Sequence, residues 1–242
     1  NDVNRDFDKV IEITNKPKII KNILVENNFF SSKKINNLIS LGINGDIEIN
    51  QEYIPVAHNT IDLVISNLTF HWANDLVGIL YQINQTLKPD GFFLASLFGE
   101  NTLIELKESF KLAENEIIGK SFQRVSPFID IKTSGDLLQR TGFNLCVSDL
   151  DKIQIKYNNP IDLLNELRSM GETNILSSRQ KSFLRKDILR KAMEIYEKKF
   201  SDNNKVIATF DVVYLSGWKY HTSQQKPLKP GSGKVSLSKI LK

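Results

Sequence analysis

Ile61-Asp62-Leu63-Val64-Ile65-Ser66-Asn67-Leu68-Thr69-Phe70-His71-Trp72 and, further on, Lys88-Pro89-Asp90-Gly91-Phe92-Phe93-Leu94-Ala95-Ser96-Leu97 decide the fold. The first opens with an apolar, β-branched run of strand length. The second ends in six residues that are almost wholly apolar, as a strand buried on both faces should be. The interval between them, from about Asp75 to Leu87, reads as a helix. Lys88-Pro89-Asp90-Gly91 stops it, with Pro and Gly where a type I or II turn wants them. Strand, helix, strand in this order is a parallel pair joined by a crossover.

The same alternation extends outward. Lys9–Ile13 reads as a strand, and Pro17 opens a helical stretch through about Asn27, a first-turn position that suits proline. Asn37–Leu41 is a second strand, ended by the turn signal Gly42-Ile43-Asn44-Gly45, and Ile47–Asn50 is a candidate third. Downstream, Leu103, Leu106, Phe110 and Ala113 recur at helical spacing through Ile118. Ser134–Arg140 forms another helix ended by Gly142, and a strand runs from about Leu145 to Tyr157. Residues 160–200 are helical and heavily charged, and Val206–Leu215 is a last strand. This pattern predicts an α/β fold with a mostly parallel sheet covered by helices.

Composition bounds the rest. A chain of 242 residues, 40% hydrophobic and 25% charged, suits one large domain with an appendage better than two equal ones. No apolar run approaches the roughly 18 residues that span a bilayer. Asn1-Asp2-Val3-Asn4 has neither a basic nor an apolar leader pattern, and without a Met the native start is expected upstream. Cys146 is the single cysteine, which excludes an intrachain disulfide and a Cys-rich metal site. With three scattered histidines, no protein-built metal centre is expected, and the reading is a reducing, cytoplasmic compartment. The net charge of +4 sits in the tail: after Asp211 there is no acid, while Lys219, Lys226, Lys229, Lys234, Lys239 and Lys242 follow. That tail is either a solvated terminus or a contact for an acidic partner or membrane surface. Without interleaved aromatics to stack bases, nucleic acid is not expected as a partner.

Residues 61–76, followed by Leu87-Lys88-Pro89-Asp90-Gly91, resemble the fourth and fifth strands of class I S-adenosylmethionine-dependent methyltransferases. Ser126-Pro127-Phe128, Met170-Gly171-Glu172-Thr173-Asn174, and above all Gly217-Trp218-Lys219-Tyr220-His221 with Ser223-Gln224 make the chain similar to one branch, complex I assembly factor five. That branch is described as protein-arginine hydroxylases on a methyltransferase fold. The chain resembles the malonyl-acyl-carrier-protein carboxyl methyltransferases of biotin synthesis more distantly. The resemblance implies a Rossmann-like sheet of seven strands, mostly parallel, with an antiparallel last strand and a helical lid insertion. The implied division is a methyltransferase-like core over residues 1–150 with an incomplete N-terminal part. Strand six, lid and strand seven then occupy residues 151–216, and a basic extension residues 217–242.

In such sheets ligands bind beyond the carboxyl ends of the parallel strands, at the topological switch point. The resemblance puts Glu12 in the acidic position of the cofactor loop, and Asn50 and Gln51 in the adenine-contacting stretch. Asn67 lies on the cofactor side of the loop after strand four. That loop also carries His71 and Trp72 as catalytic candidates. His71 is either a base or holder of a polar substrate, or a cap on the next helix with Trp72 packed beneath. Glu172, in the polar turn of the lid, and Asn174 could hold a substrate guanidinium. Alternatively Gly171 ends one helix and Thr173 or Asn174 caps the next. Because strand seven is antiparallel, the lid turn should lie across the crevice from His71, and Gly217–His221 should emerge at the opposite end.

The cofactor loop departs from the family. Glu12-Ile13-Thr14-Asn15-Lys16-Pro17-Lys18 has no glycine where the backbone must pass close to the ligand. The end of strand two offers no carboxylate for a ribose diol, Asp46 being the nearest acid. The expectation is a complex I assembly factor of methyltransferase ancestry that modifies a protein arginine, with S-adenosylmethionine bound weakly. An active carboxyl or protein methyltransferase and a non-catalytic assembly protein are the alternatives. The expected partner is a protein substrate or a respiratory complex I subunit.

Overall fold

In the computed structural model, residues 5–16, 19–28, 35–50, 52–174, 179 and 183–226 are described. Phe7–Ile13 (β1) lies at the heart of the parallel part of the sheet, between Ile35–Leu41 (β2) and Ile61–Asn67 (β3). Leu87–Phe98 (β4) continues the parallel set beyond β3. Lys205–Lys219 (β7) then runs antiparallel between β4 and Phe143–Tyr157 (β5). The order is β2-β1-β3-β4-β7-β5, with the two-residue Ser201–Asp202 (β6) beside β7. The chain leaves β1 on one side toward β2 and returns on the other as β3, so the switch point lies between β1 and β3.

Ile19–Glu26 (α1) follows β1, Leu76–Thr86 (α2) joins β3 to β4, and Ile131–Arg140 (α4) precedes β5. Ile79, Leu80, Ile83 and Leu138 from these helices pack fully buried against Val64, Phe93 and Val213 of the sheet. Ile104–Ile118 (α3), Pro160–Met170 (α5) and Lys186–Lys199 (α6) form a second core at the far side, around Phe98, Leu163, Tyr196 and Phe210. The last pair is the expected insertion.

Two expected elements differ. Ile47 makes a single parallel bridge with Leu41, so the strand expected over Ile47–Asn50 does not form. The loop instead closes the outer edge of β2 with its own groups: Ile47 donates to the Ser40 carbonyl at 3.1 Å and the Ser40 N–H donates to the Asp46 carboxylate at 2.9 Å. Asn50 then bends the chain by accepting from the Glu52 N–H at 3.0 Å. Lys88–Gly91 is not a free turn but a bulge inside β4, where pairing jumps from Ile61↔Leu87 to Leu63↔Phe92 and Asp90 adopts φ +64°. β7 also extends to Lys219, past the expected boundary at 216, and β5 crosses the expected boundary at 150. The tail beyond residue 226 lies outside the described residues.

Candidate active site

Strand ends build the site. At the end of β3, Asn67 Oδ1 accepts from the Ser96 hydroxyl at 2.6 Å. Leu68 then takes φ +47°, a strained value for a non-glycine residue, with its N–H held by the Ser96 carbonyl at 2.9 Å. The chain enters a single 3-10 turn, Phe70–Trp72, anchored by Phe70, which is buried against Phe93. That anchor leaves His71 and Trp72 on the ligand side. Asp75, not His71, caps α2, accepting from Gly78 N–H at 2.8 Å, so the capping reading of His71 falls away.

The opposite wall comes from the lid turn. Gly171, at φ +82°, ends α5: its N–H bonds the Arg168 carbonyl, and Glu172 N–H bonds the Leu167 carbonyl at 2.8 Å. This termination sets Glu172 across the crevice from His71, so the helix end expected at Gly171 forms without turning Glu172 away from the crevice. Both Glu172 carboxylate oxygens lie 3.2 Å from His71 Nε2. The His71 ring is 3% exposed, within 4.8 Å of the Phe98 ring centroid and 6.0 Å of Phe128. Its Nδ1 is buried without a partner among the described residues. The next described helix, α6, has Arg185 at its N-cap, and the Asn174 side-chain amide donates to the Gln123 carbonyl at 2.9 Å, tying the lid turn to the 120–128 segment.

Two cavities share Glu172. The first, about 380 Å³, has an apolar wall of Phe98, Leu106, Phe128 and Leu167 under the lid, and His71 and Glu172 also line it. The second, about 370 Å³, lies at the switch point between Thr14 at the end of β1 and Asn67–Thr69 at the end of β3. Trp72, Phe98 and Glu172 line both. Among the candidates, His71, Trp72, Glu172, Glu12 and Asn67 therefore converge. Asn50 is exposed and lines neither cavity, and Gln51 lies outside the described residues.

Sequence reasoning missed Arg124, another residue of the first cavity's wall. Its guanidinium is held by the fully buried Glu114, with Nε at 2.8 Å, while Phe122 N–H donates to the same carboxylate at 2.7 Å. Only the neighbouring Ser126-Pro127-Phe128 stretch had marked this segment.

Glu12 Oε2 accepts from the Ser40 hydroxyl at 2.9 Å, but Oε1 is buried without a partner among the described residues. Burial, above all, pushes its carboxyl upward, and the Asp46 charge adds to the shift, against the Ser40 bond, the nearby Ile20 N–H, which is too poorly placed for a full hydrogen bond, and the Lys21 charge. Glu12 lines the second cavity, and a carboxylate there suits the amino group at the amino-acid end of S-adenosylmethionine. Among the described residues the end of β2 brings apolar Ile43, not a carboxylate, to this cavity, and Asp46, which accepts from Ser40 N–H, does not line it. In the glycine-free loop the Thr14 hydroxyl holds the turn by accepting from Lys16 N–H at 3.0 Å; Pro17 and Lys18 lie outside the described residues.

Residues 29–95 match the family model described as a methyltransferase domain. The mitochondrial arginine-hydroxylase NDUFAF5 of Danio rerio is 41% identical over 194 residues, covering 80% of this chain and 60% of that protein. Its Homo sapiens counterpart is 41% identical over 192 residues, covering 79% and 55%. A malonyl-[acyl-carrier protein] O-methyltransferase of Methylovorus sp. (strain MP688) is 32% identical over 168 residues, covering 69% and 54%. The chain thus spans little more than half the length of these curated relatives. A Bacillus halodurans protein assigned to the methyltransferases superposes with a TM-score of 0.56 at 10% identity, over 90% of this chain and 93% of that one. The fold is that of the Rossmann-like class I methyltransferases. The mitochondrial relatives overturn the expected cytoplasmic location. A lone Cys146 reports on reducing surroundings, which more than one compartment provides.

Proposed function

As a methyltransferase-fold homologue of the mitochondrial arginine-hydroxylases, this chain brings a His–Glu pair to the seam of two cavities, and we propose that it modifies an arginine side chain of a protein during assembly of respiratory complex I. The supporting observation is the pairing of His71 with Glu172 where the cavity under the lid meets the switch-point crevice. A carboxylate accepts the two parallel N–H bonds of a guanidinium, and an apolar wall suits the methylene stem behind it. If Nε2 of His71 carries the proton toward Glu172, Nδ1 is left as a buried acceptor for a further N–H. His71 then orients the carboxylate and offers a base within the same enclosure.

The crevice supports weak binding of S-adenosylmethionine, no tighter than about 100 μM, or roughly −5.5 kcal/mol. Unpartnered ribose and adenine groups would lose the contribution that buried polar ligands depend on. Isothermal titration with S-adenosylmethionine and S-adenosylhomocysteine tests this; low-micromolar binding refutes it. The arginine reading is tested by incubating the chain with arginine-containing peptides and S-adenosylmethionine. With dioxygen and a two-electron reductant added, so that the second oxygen atom can leave as water, mass spectrometry should find an oxygen on arginine, or a methyl from S-adenosylmethionine, and either should be lost in Glu172→Gln. The lack, among the described residues, of a carboxylate at the end of β2 for a ribose favours a second reading, a non-catalytic assembly protein. That reading gains if a complex I subunit binds but no arginine is altered.

A further inference from the structure

The cavity proposed to receive an arginine carries the wrong charge for a guanidinium arriving alone. Arg124, Arg168 and Arg179 line it against a single carboxylate, Glu172. Arg124 is neutralised by Glu114, and Arg179 has contacts of its own. Arg168 differs. It is exposed on the last turn of α5, one turn before Glu172, and forms no ion pair among the described residues. Helix-end cations have an ordinary use, since they complement the negative end of the helix. That use does not require the guanidinium to share a cavity with the residue that would bind the substrate.

Resting on the arginine reading of this site, we propose that the substrate segment carries an acidic residue beside its arginine, and that Arg168 receives it. Glu172 and Arg168 then present opposite charges side by side to a segment of opposite polarity. Glu172 follows Arg168 by four residues, past the left-handed cap at Gly171 that ends α5, and both side chains line one cavity. Two residues of extended chain advance about 6.6 Å and return to the same face. The favoured spacing is therefore an arginine and an acid two positions apart. The acid compensates the cationic wall, so the arginine enters without net repulsion.

Fluorescence anisotropy with short labelled peptides tests this on the full chain. Each peptide carries a central arginine, with Asp, Asn or Lys two residues away. The expected order is Asp over Asn by about two- to five-fold, with Lys weaker again, as for a partly exposed ion pair. Arg168→Ala should flatten the series, and Arg168→Glu should invert it. An Asp preference that survives Arg168→Glu overturns the proposal, as does a wild-type chain that ignores the second residue. A purely structural role for Arg168 would change the melting temperature without changing the order. Replacing the central arginine by Leu separates the two claims. If the Leu peptide binds equally well and keeps its Asp preference, the arginine reading fails and the Arg168 assignment stands. If no arginine peptide binds, both fail.

Discussion

The two ends of the sheet are built to opposite standards. At the amino end of β4, Trp218 stacks on Phe92 with centroids 4.4 Å apart and lies 6.0 Å from the Arg5 guanidinium. Arg5 donates to both the carbonyl and the carboxylate of Asp90, while Gln224 reaches Asp90, the Lys219 carbonyl and Asn144. Lys219 donates to Asn59 and to the Gln85 carbonyl. The specific run Gly217–His221 with Ser223-Gln224 is thus a clasp, at the end where strand direction predicted it. At the carboxyl end, Leu68 and Leu103 sit at positive φ, and three buried polar atoms (Glu12 Oε1, His71 Nδ1 and Asp211 Oδ1) lack partners among the described residues. Positive φ occurs at both ends, at Asn59 and Asp90 beside the clasp as well, and Asn84 Nδ2 is unpartnered there among the described residues. The carboxyl end nonetheless gathers three of the five such atoms, including a carboxylate and an imidazole nitrogen, as a place kept for a ligand would.

That contrast can be broken by substitution. Gly42→Ala should be the most damaging change, because an added Cβ would lie 1.9 Å from the Thr14 carbonyl at a φ of +139°. A loss of about 4 kcal/mol in denaturant unfolding is expected, and it would show that the carboxyl end is not uniformly permissive. Trp218→Ala should follow, at about 2–3 kcal/mol, with peptide binding unchanged per folded molecule. A Trp218 variant as stable as wild type would mean the clasp is ornamental.

Glu12→Gln should raise stability, by about 1 kcal/mol at pH 7, because it removes a charge that burial opposes. The sign follows from linkage. The folded state holds the Glu12 proton to higher pH than the unfolded chain, so stability is full below the ordinary glutamate pKa and falls as pH rises through the folded value. The advantage of the variant should therefore vanish on acidification toward pH 4, about where free glutamate takes up its proton. An advantage that persists there would assign the gain to packing instead. The smallest stability change is expected for Glu172→Gln, within about 0.5 kcal/mol in thermal melts, since the amide keeps the size of the side chain and an acceptor oxygen for His71 Nε2. Its effect on arginine modification should be large and, combined with His71→Gln, less than additive. His71→Ala is a poor probe, since it empties the space of a ring buried among Phe98, Trp72 and Phe128.

Elements whose period and punctuation agree were legible in the sequence, among them β3, the apolar half of β4, and α2. The antiparallel last strand that the family resemblance implies placed Glu172 opposite His71 and Trp218 at the far end. What failed was decided by tertiary contacts. The Ile47–Asn50 run has strand composition, but Asp46 and Ile47 satisfy the β2 edge first and Asn50 bends away. Arg124 was invisible because Glu114 looks like an ordinary polar position on α3. It becomes buried only when residues 122–124 fold back over it. An acidic residue beside an apolar stripe does not announce such a partner.

The placement of β7 bears on how the chain is made. Phe93 pairs with Gly217, more than a hundred residues later, and β5 reaches the sheet only through β7. During synthesis the β2-β1-β3-β4 half can assemble, but the β4 edge, with Phe92-Phe93-Leu94-Ala95-Ser96-Leu97-Phe98, stays unpaired until residue 219 has left the ribosome. Such late, long-range pairing is slow and exposes an aggregation-prone edge. A nascent chain stalled before Ser201 should therefore be held by chaperones, and one released past Lys219 should not.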